Sequence, residues 1–276
     1  MKTTKLKIIA VLVIMAIGYS FTSLGKITIK GSDTMVILSQ QWAEIYMKKN
    51  PGTVIQVTGG GSGVGLAALI NGSTDIANSS RPIKPAELEK IKAKFGKNAI
   101  QIPCAKDGLS VFLNKGNKVS ELTIAQIGGI FSGKITNWKQ VGGDDAKIQL
   151  YGRESSSGTF EFFKEHVVQT DFAATCQTLP GTAAIINAVK KDKYSIGYGG
   201  AAYAEGVKDC TVKKDANSKG YLPTEVNIKN KKYPIARYLY MYLTSKPTGE
   251  TKKFIDWILS SEGQKIIAGV GYFPVK

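Results

Sequence analysis

Gly152-Arg153-Glu154-Ser155-Ser156-Ser157-Gly158-Thr159 joins a strand-like run, Lys147 to Tyr151, to Phe160–Val168, whose aromatic residues fall at helical spacing. A strand that enters a helix through a short polar turn is the repeating unit of an α/β sheet. Similar hydroxyl- and glycine-rich turns follow strand-like segments at Ser32-Asp33-Thr34, Gly61-Ser62-Gly63 and Ser79-Ser80-Arg81. Four such junctions, at least three of them leading into helices, predict a mostly parallel sheet with helices on its faces.

The periodicity between the junctions fills in the rest. Strands are expected at Ile27–Lys30, Val54–Val57, Ile100–Ile102 and Leu109–Leu113, with another leading through Asp75-Ile76-Ala77. Leu38, Trp42, Ile45 and Tyr46 share one face of a first helix, and a charged helix spans Pro85 to Phe95. Further helices are expected at Glu121–Phe131, Ala183–Val189 and Thr251–Ala268, with strands at Ser195–Tyr198 and Arg237–Leu243, the last crossing back. A chain of 276 residues holds two such lobes but not three. With no long linker and no fixed-period repeat, the lobes are expected to interleave, each built from discontinuous segments.

The start of the chain reads as an export signal. Lys2, Lys5 and Lys7 precede a ten-residue apolar core, Ile8–Ile17, and Gly18, Ser20, Ser23 and Gly25 supply small residues for cleavage. The apolar run is shorter than a membrane span requires. Export permits disulfides, and of the three cysteines Cys176 and Cys210 are the expected pair, with Cys104 a buried thiol. The formal charge of +16 points to an anionic partner. No basic cluster is interleaved with aromatics, which argues against nucleic acid. His166 is the only histidine, and no Cys/His spacing suggests a metal site.

Two catalytic motifs fail on inspection. Gly128–Lys134 resembles a P-loop but puts Ile135 where a hydroxyl must hold magnesium, and it follows a helix. Ser62 lacks the second flanking glycine of a nucleophile elbow, because Val64 stands there. A hydrolase pairing one of Ser155–Ser157 with His166 lacks an evident acid. The four turns suit oxyanion binding better. Ligand crevices of open α/β sheets lie beyond the carboxyl ends of the strands. Helix N-termini there supply unpaired N–H groups, and Arg153 a bidentate cation. Ser155, Ser156 and Ser157 are natural N-caps for the helix that follows. Such a pocket has many donors and few candidate bases, so it holds an oxyanion without transforming it.

Gly31-Ser32-Asp33-Thr34-Met35, the glycine run Thr58–Gly65, Asp75-Ile76-Ala77 with Ser80-Arg81, the stretch from Leu122-Thr123 to Asn137-Trp138, and Arg153–Thr159 resemble the periplasmic phosphate-binding proteins of bacterial phosphate ABC transporters. The resemblance covers almost the whole chain after the leader. It implies an α/β, two-lobed type II periplasmic-binding-protein fold: residues 26–111 and 239–276 forming one lobe, 112–238 the other, and two crossover strands between them. It also implies an exported monomer without cofactor or catalysis, whose partners are inorganic phosphate and a membrane permease. Other tetrahedral oxyanions such as sulfate or molybdate remain alternative ligands. By matched motif, Thr34 donates its hydroxyl and Met35 its amide, Ser62 donates from the glycine run, and Arg153 is the charged clamp. Ser157, Gly158 and Thr159 complete the cradle, with Ser32 and Ser80 in its flanking loops. Some members place an aspartate after the serine of the third loop to accept the ligand proton. Arg81 stands there in this chain, leaving Asp107, slightly favoured, or Asp33 for that role.

Overall fold

The computed structural model describes residues 25–275. The expected leader, residues 1–25, lies outside the described residues except for Gly25, which begins the first strand. The chain runs through β1 (Gly25–Gly31), α1 (Val36–Lys49), β2 (Thr53–Thr58), α2 (Ser62–Asn71), β3 (Ile76–Ser79) and α3 (Pro85–Phe95). After β4 (Ile100–Leu113) come β5 (Glu121–Thr123), α4 (Ile124–Phe131), β6 (Gln149–Arg153), α5 (Gly158–Phe163), β7 (Gln177–Leu179) and α6 (Gly181–Lys191). β8 (Ser195–Gly200), β9 (Lys208–Asp209), β10 (Thr211–Lys213) and α7 (Glu225–Lys229) complete that half. β11 (Ala236–Leu243), α8 (Gly249–Ile258) and α9 (Ser261–Val270) then return to the first half.

The two lobes share one twisted sheet of order β2-β1-β3-β11-β4-β8-β6-β7, with β9 also pairing β4. β1 pairs in parallel with β2 and β3, and β6 with β8 and β7, whereas β11 runs antiparallel between β3 and β4. The sequence suggests two separate strands at 100–102 and 109–113. The structure instead has one 14-residue strand. β4 pairs with β11 as far as Gly108 and with β8 from Leu109 onward, so it passes from one lobe into the other without interruption. The sequence leaves the residues between the two expected segments unassigned, because Lys106-Asp107-Gly108, a charged pair beside glycine, is a poor strand signal. Cross-strand pairing overrides it.

Alternation explains the strands and caps explain most helix ends. Ile27 and Ile29 of β1 point into a core shared with Trp42 of α1, Leu239 and Met241 of β11, and Phe254, Ile258 and Ile267 of the last two helices. On the opposite face of that half-sheet, Leu66 and Leu69 of α2 pack with Ala77, Ile91 and Tyr242. The second lobe is centred on Phe131, Trp138, Phe163 and Tyr198, the last two stacked at 3.9 Å between ring centroids. α4 begins three residues later than its periodicity suggests, because Thr123 accepts from the Gln126 amide while the Gln126 side chain accepts from the Thr123 amide. The helix expected over 251–268 is two helices, broken at Ser260, which caps the second. Beyond α5 the helix expected over 160–168 widens into a π turn at Lys164–Val168.

All three cysteines are free thiols, which corrects the expected Cys176–Cys210 bridge. The Cys210 amide donates to Val111 of β4, while Cys176 packs against Gly152 of β6. β8 lies between those strands, so the thiols sit about 10 Å or more apart at ordinary strand spacing, beyond disulfide reach. Burial pushes the Cys104 and Cys210 thiols up to about 12 and Cys176 to about 11. A structural disulfide contributes about 2–4 kcal/mol, enough to move the melting temperature by several degrees. Adding reductant should therefore leave the Tm unchanged to within about 1 °C. Thiol titration after denaturation should find three thiols per chain; a large drop in Tm on reduction would restore the bridge.

Candidate functional site

Loops at the carboxyl ends of β1, β2, β3 and β6 meet where the lobes touch. The β1 loop forms a tight 3-10 turn, Asp33–Met35, and buries Thr34. Ser62 is brought close to β1 by Gly65 of α2, where a Cβ would lie 2.4 Å from the Lys30 carbonyl oxygen. Any larger residue there would push the helix, and Ser62 with it, off the sheet. β3 ends at Ser79 and delivers Ser80, whose amide donates to Ser62 Oγ at 3.0 Å. From the second lobe, Ser157 caps α5, accepting from the amides of Thr159 at 3.2 Å and Phe160 at 3.3 Å. That cap fixes Thr159 in the first turn of the helix.

Thr34, Ser62, Ser80 and Thr159 form a buried cluster of hydroxyls. Thr34 Oγ1 lies 2.8 Å from Thr159 Oγ1, and Ser80 Oγ lies 3.3 Å from Ser62 Oγ and 3.4 Å from Thr159 Oγ1. None of the four residues is more than 1% exposed. Gly158 packs so tightly beside them that a Cβ would fall 2.3 Å from Ser62 Oγ and 2.9 Å from Ser80 Oγ. The lobes are closed on each other. The Gly63 amide donates to the Ser156 carbonyl at 2.9 Å, and the Ser156 hydroxyl to the Gly60 carbonyl at 3.2 Å.

Arg153 is 2% exposed and spans the closure. It donates from Nη2 to Asp33 Oδ2 at 2.8 Å across the lobes, from Nη1 to Thr182 Oγ1 at 3.0 Å, and from Nε and Nη2 to Glu154. Burial would raise the Glu154 carboxyl, but the bonds and charge of Arg153 outweigh it and hold Glu154 below its ordinary range. Asp33 also accepts from the Gly60 amide at 2.8 Å, and its carbonyl accepts from Tyr203, whose hydroxyl burial pushes up to about 12.

Not every expected residue faces this cluster with a free group. The Met35 amide donates to Ser32 O at 3.0 Å, closing the 3-10 turn. The Arg81 guanidinium is engaged by Glu87 at 2.8 Å and Glu161 at 2.9 Å beside the cleft. Asp107 is fully buried and committed elsewhere. Its Oδ2 accepts from Arg237 Nε at 3.0 Å and Nη2 at 2.8 Å, and its Oδ1 from the Ala201 amide at 3.3 Å. Of the two candidate proton acceptors, Asp33 is therefore the one beside Thr34 and Arg153, and Asp107 belongs to Arg237.

Arg237 itself was missed by sequence reasoning, which read Arg237–Leu243 only as an apolar crossing strand. Its Nη2 donates to Thr159 Oγ1 at 2.9 Å. A signal was present. Of 37 basic residues only Arg81, Arg153 and Arg237 are arginines, and all three are buried around the cleft. The hydrolase alternative finds no support in the geometry. Ser157 is occupied as a cap, and His166 bonds the Phe162 carbonyl at 3.0 Å while stacking on the Phe162 ring. Among the described residues no cluster of His, Cys, Asp and Glu suits a metal ion, and no helix is long and apolar enough to cross a membrane.

The comparisons agree with this architecture. A family model described as the PBP superfamily domain matches residues 20–262. The phosphate-binding protein PstS of Pseudomonas aeruginosa is 32% identical over 269 residues, covering 91% of this chain and 83% of that protein. A substrate-binding protein of a phosphate ABC transporter from Clostridium perfringens, crystallised with bound phosphate, superposes with a TM-score of 0.83 at 31% identity. It covers 91% of this chain and 100% of its own. An ABC-type phosphate transport receptor from Vibrio cholerae gives a TM-score of 0.72 at 31% identity, covering 90% of this chain and 99% of its own. The chain belongs to the PBP superfamily and, within it, to the PstS family.

Proposed function

We propose that this protein captures inorganic phosphate between its lobes and delivers it to the permease of an ABC importer, working outside the cytoplasm as a monomer exported through its N-terminal segment. The observation that carries this reading is the convergence of four hydroxyls, from four junctions up to 125 residues apart, inside a closed and buried interface. Hydroxyls and helix-terminal amides present many donors to a tetrahedral oxyanion, while none of the four hydroxyls is bonded to a base that would activate it as a nucleophile. In this account Ser32, Thr34, Ser62, Ser80, Ser157, Gly158 and Thr159 build the cradle, and Arg153 supplies positive charge tethered to both lobes.

The direct test is thermal unfolding of the exported chain with phosphate, arsenate, sulfate and molybdate. A ligand held only by the native state raises the Tm by mass action, about 4 kcal/mol of stabilisation at a thousandfold excess over Kd. Phosphate and arsenate should raise it; a larger shift with sulfate would assign the site to a different oxyanion.

Selectivity should run through Asp33. Oδ1 accepts from the Gly60 amide and Oδ2 from Arg153, leaving lone pairs for the proton that hydrogen phosphate carries near neutral pH and sulfate does not. Opposing lone pairs left unpaired cost about 1–3 kcal/mol, or roughly five- to 150-fold in affinity. Asp33→Asn should accordingly weaken phosphate at least about fivefold more than sulfate in parallel calorimetric titrations. An unchanged ratio would remove Asp33 from the selectivity account.

A further inference from the structure

Counting donors distinguishes the arginines around the hydroxyl cluster. A guanidinium carries five N–H groups. Arg153 directs four of them to Glu154, Asp33 and Thr182. Arg81 spends its terminal nitrogens on Glu87 and the Pro82 carbonyl, and its buried Nε, which makes no aligned hydrogen bond, still has the Glu161 carboxylate 2.9 Å away as an ion-pair partner. Arg237 is different. Nε and Nη2 bond Asp107, Nη2 reaches Thr159, and Nη1 is buried with no partner. The side chain is only 3% exposed, and the Phe162 ring lies 5.3 Å from the guanidinium carbon.

We propose that Arg237 is a second phosphate-binding guanidinium of this site, positioned by Asp107, with Nη1 donating to the anion and Nη2 orienting Thr159. The proposal rests on the phosphate reading above. Thr159 Oγ1 has two lone pairs and one hydrogen. A guanidinium only donates, so Arg237 occupies one lone pair and leaves the Thr159 hydrogen for an acceptor. Both spare Nη1 hydrogens sit on the same planar group as the N–H that touches Thr159. An oxyanion among the hydroxyls would satisfy a donor that is otherwise left buried and unpaired.

The placement also links binding to closure. Asp107 and Arg237 are directly opposed on β4 and β11, the strands that join the lobes, while Thr159 opens α5 in the second lobe. The lobe that moves therefore brings Thr159 onto a guanidinium fixed at the hinge. Stability alone does not account for the pair, because a well-packed apolar pair serves a buried position as well or better.

The test is phosphate calorimetry on the full exported chain with Arg237→Gln and with the double variant Asp107→Asn/Arg237→Gln, which removes both charges and leaves no lone buried carboxylate. Both should bind phosphate roughly 10- to 100-fold more weakly than wild type, the loss expected for charged donors. The double variant should recover most of any Tm lost by the single one. A double variant that folds and binds within about threefold of wild type would overturn the assignment, since charged donors are worth more than that. Arginine-selective ¹⁵N NMR of the wild-type protein requires no variant to fold. Phosphate should shift the guanidinium signals of both Arg153 and Arg237, with Arg81 left in place; an unmoved Arg237 would overturn the proposal. Wild-type protein that gives no heat with phosphate would instead overturn the functional reading, and the assignment with it.

Discussion

Arg153→Ala is expected to abolish phosphate binding while leaving both lobes folded. The guanidinium sits against two carboxylates, Asp33 on the first lobe and Glu154 on its own. Removing it deletes a charged donor, worth about 1.5–3 kcal/mol, and leaves both acids beside an incoming anion. At about 5 Å and an effective dielectric near 20, each uncompensated unit charge repels a monoanion by about 3 kcal/mol. Protonation and water relieve part of that, so the net loss should be at least about 300-fold in Kd. Calorimetry decides it: a Kd within about tenfold of wild type would leave Arg153 as a lobe tether rather than a ligand clamp. The variant should also change the response to acid. The folded-state pKa of Glu154 is lowered, so its pairing stabilises the fold at neutral pH and is lost as pH falls through that lowered value. Arg153→Ala removes this contribution, and its stability should decline less between pH 6 and pH 3 than that of wild type, at least for the part Glu154 supplies.

Gly158→Ala is expected to produce the second large effect by the opposite route, leaving every polar group in place and preventing the lobes from meeting. The added Cβ would lie 2.3 Å from Ser62 Oγ and 2.9 Å from Ser62 Cβ, both on the facing lobe. Ser62 itself is fully buried and its hydroxyl already accepts from the Ser80 amide, so it has little room to turn aside. The lobes must then separate, and hydroxyl contacts of 2.8 to 3.4 Å between them are lost together. Loss of two or three hydrogen bonds to the ligand corresponds to about 2–4 kcal/mol, or roughly 30- to 1,000-fold in affinity. The fold should not suffer. Gly158 opens α5, and alanine is favoured over glycine in a helix by up to about 1 kcal/mol. The variant should therefore melt at or slightly above the wild-type temperature without phosphate, fail to gain Tm with it, and keep an extended scattering profile when phosphate is added. Affinity within about threefold of wild type would show that closure does not require this contact.

Much of the site was legible in the sequence because its local parts are written in neighbouring residues. The Ser157 cap, the hydroxyl-rich turns after the strands and the helices they open all follow from contacts no more than four residues apart, which periodicity and capping rules describe. The same rules failed where a distant strand overrode a local preference. Lys106-Asp107-Gly108 carries no strand signal of its own, yet eight register pairs with β11 hold that stretch of β4 extended. Ser260 caps the last helix in the structure, and the apparently continuous apolar period over 251–268 conceals the break it makes.

The sequence by itself determined the α/β alternation, the four junctions and the choice of hydroxyl and guanidinium chemistry, since each depends on residue types and short spacings. Only the tertiary structure decided which acid each arginine meets. Asp107 and Arg237 are 130 residues apart, and Asp33 and Arg153 are separated by 120. Their pairing depends on the register of the two crossover strands and on how the lobes close, and neither is encoded in local periodicity. The cysteines obey the same logic. Two thiols in one region of the chain end up with a strand between them, because sheet order is set by long-range packing and not by proximity in sequence.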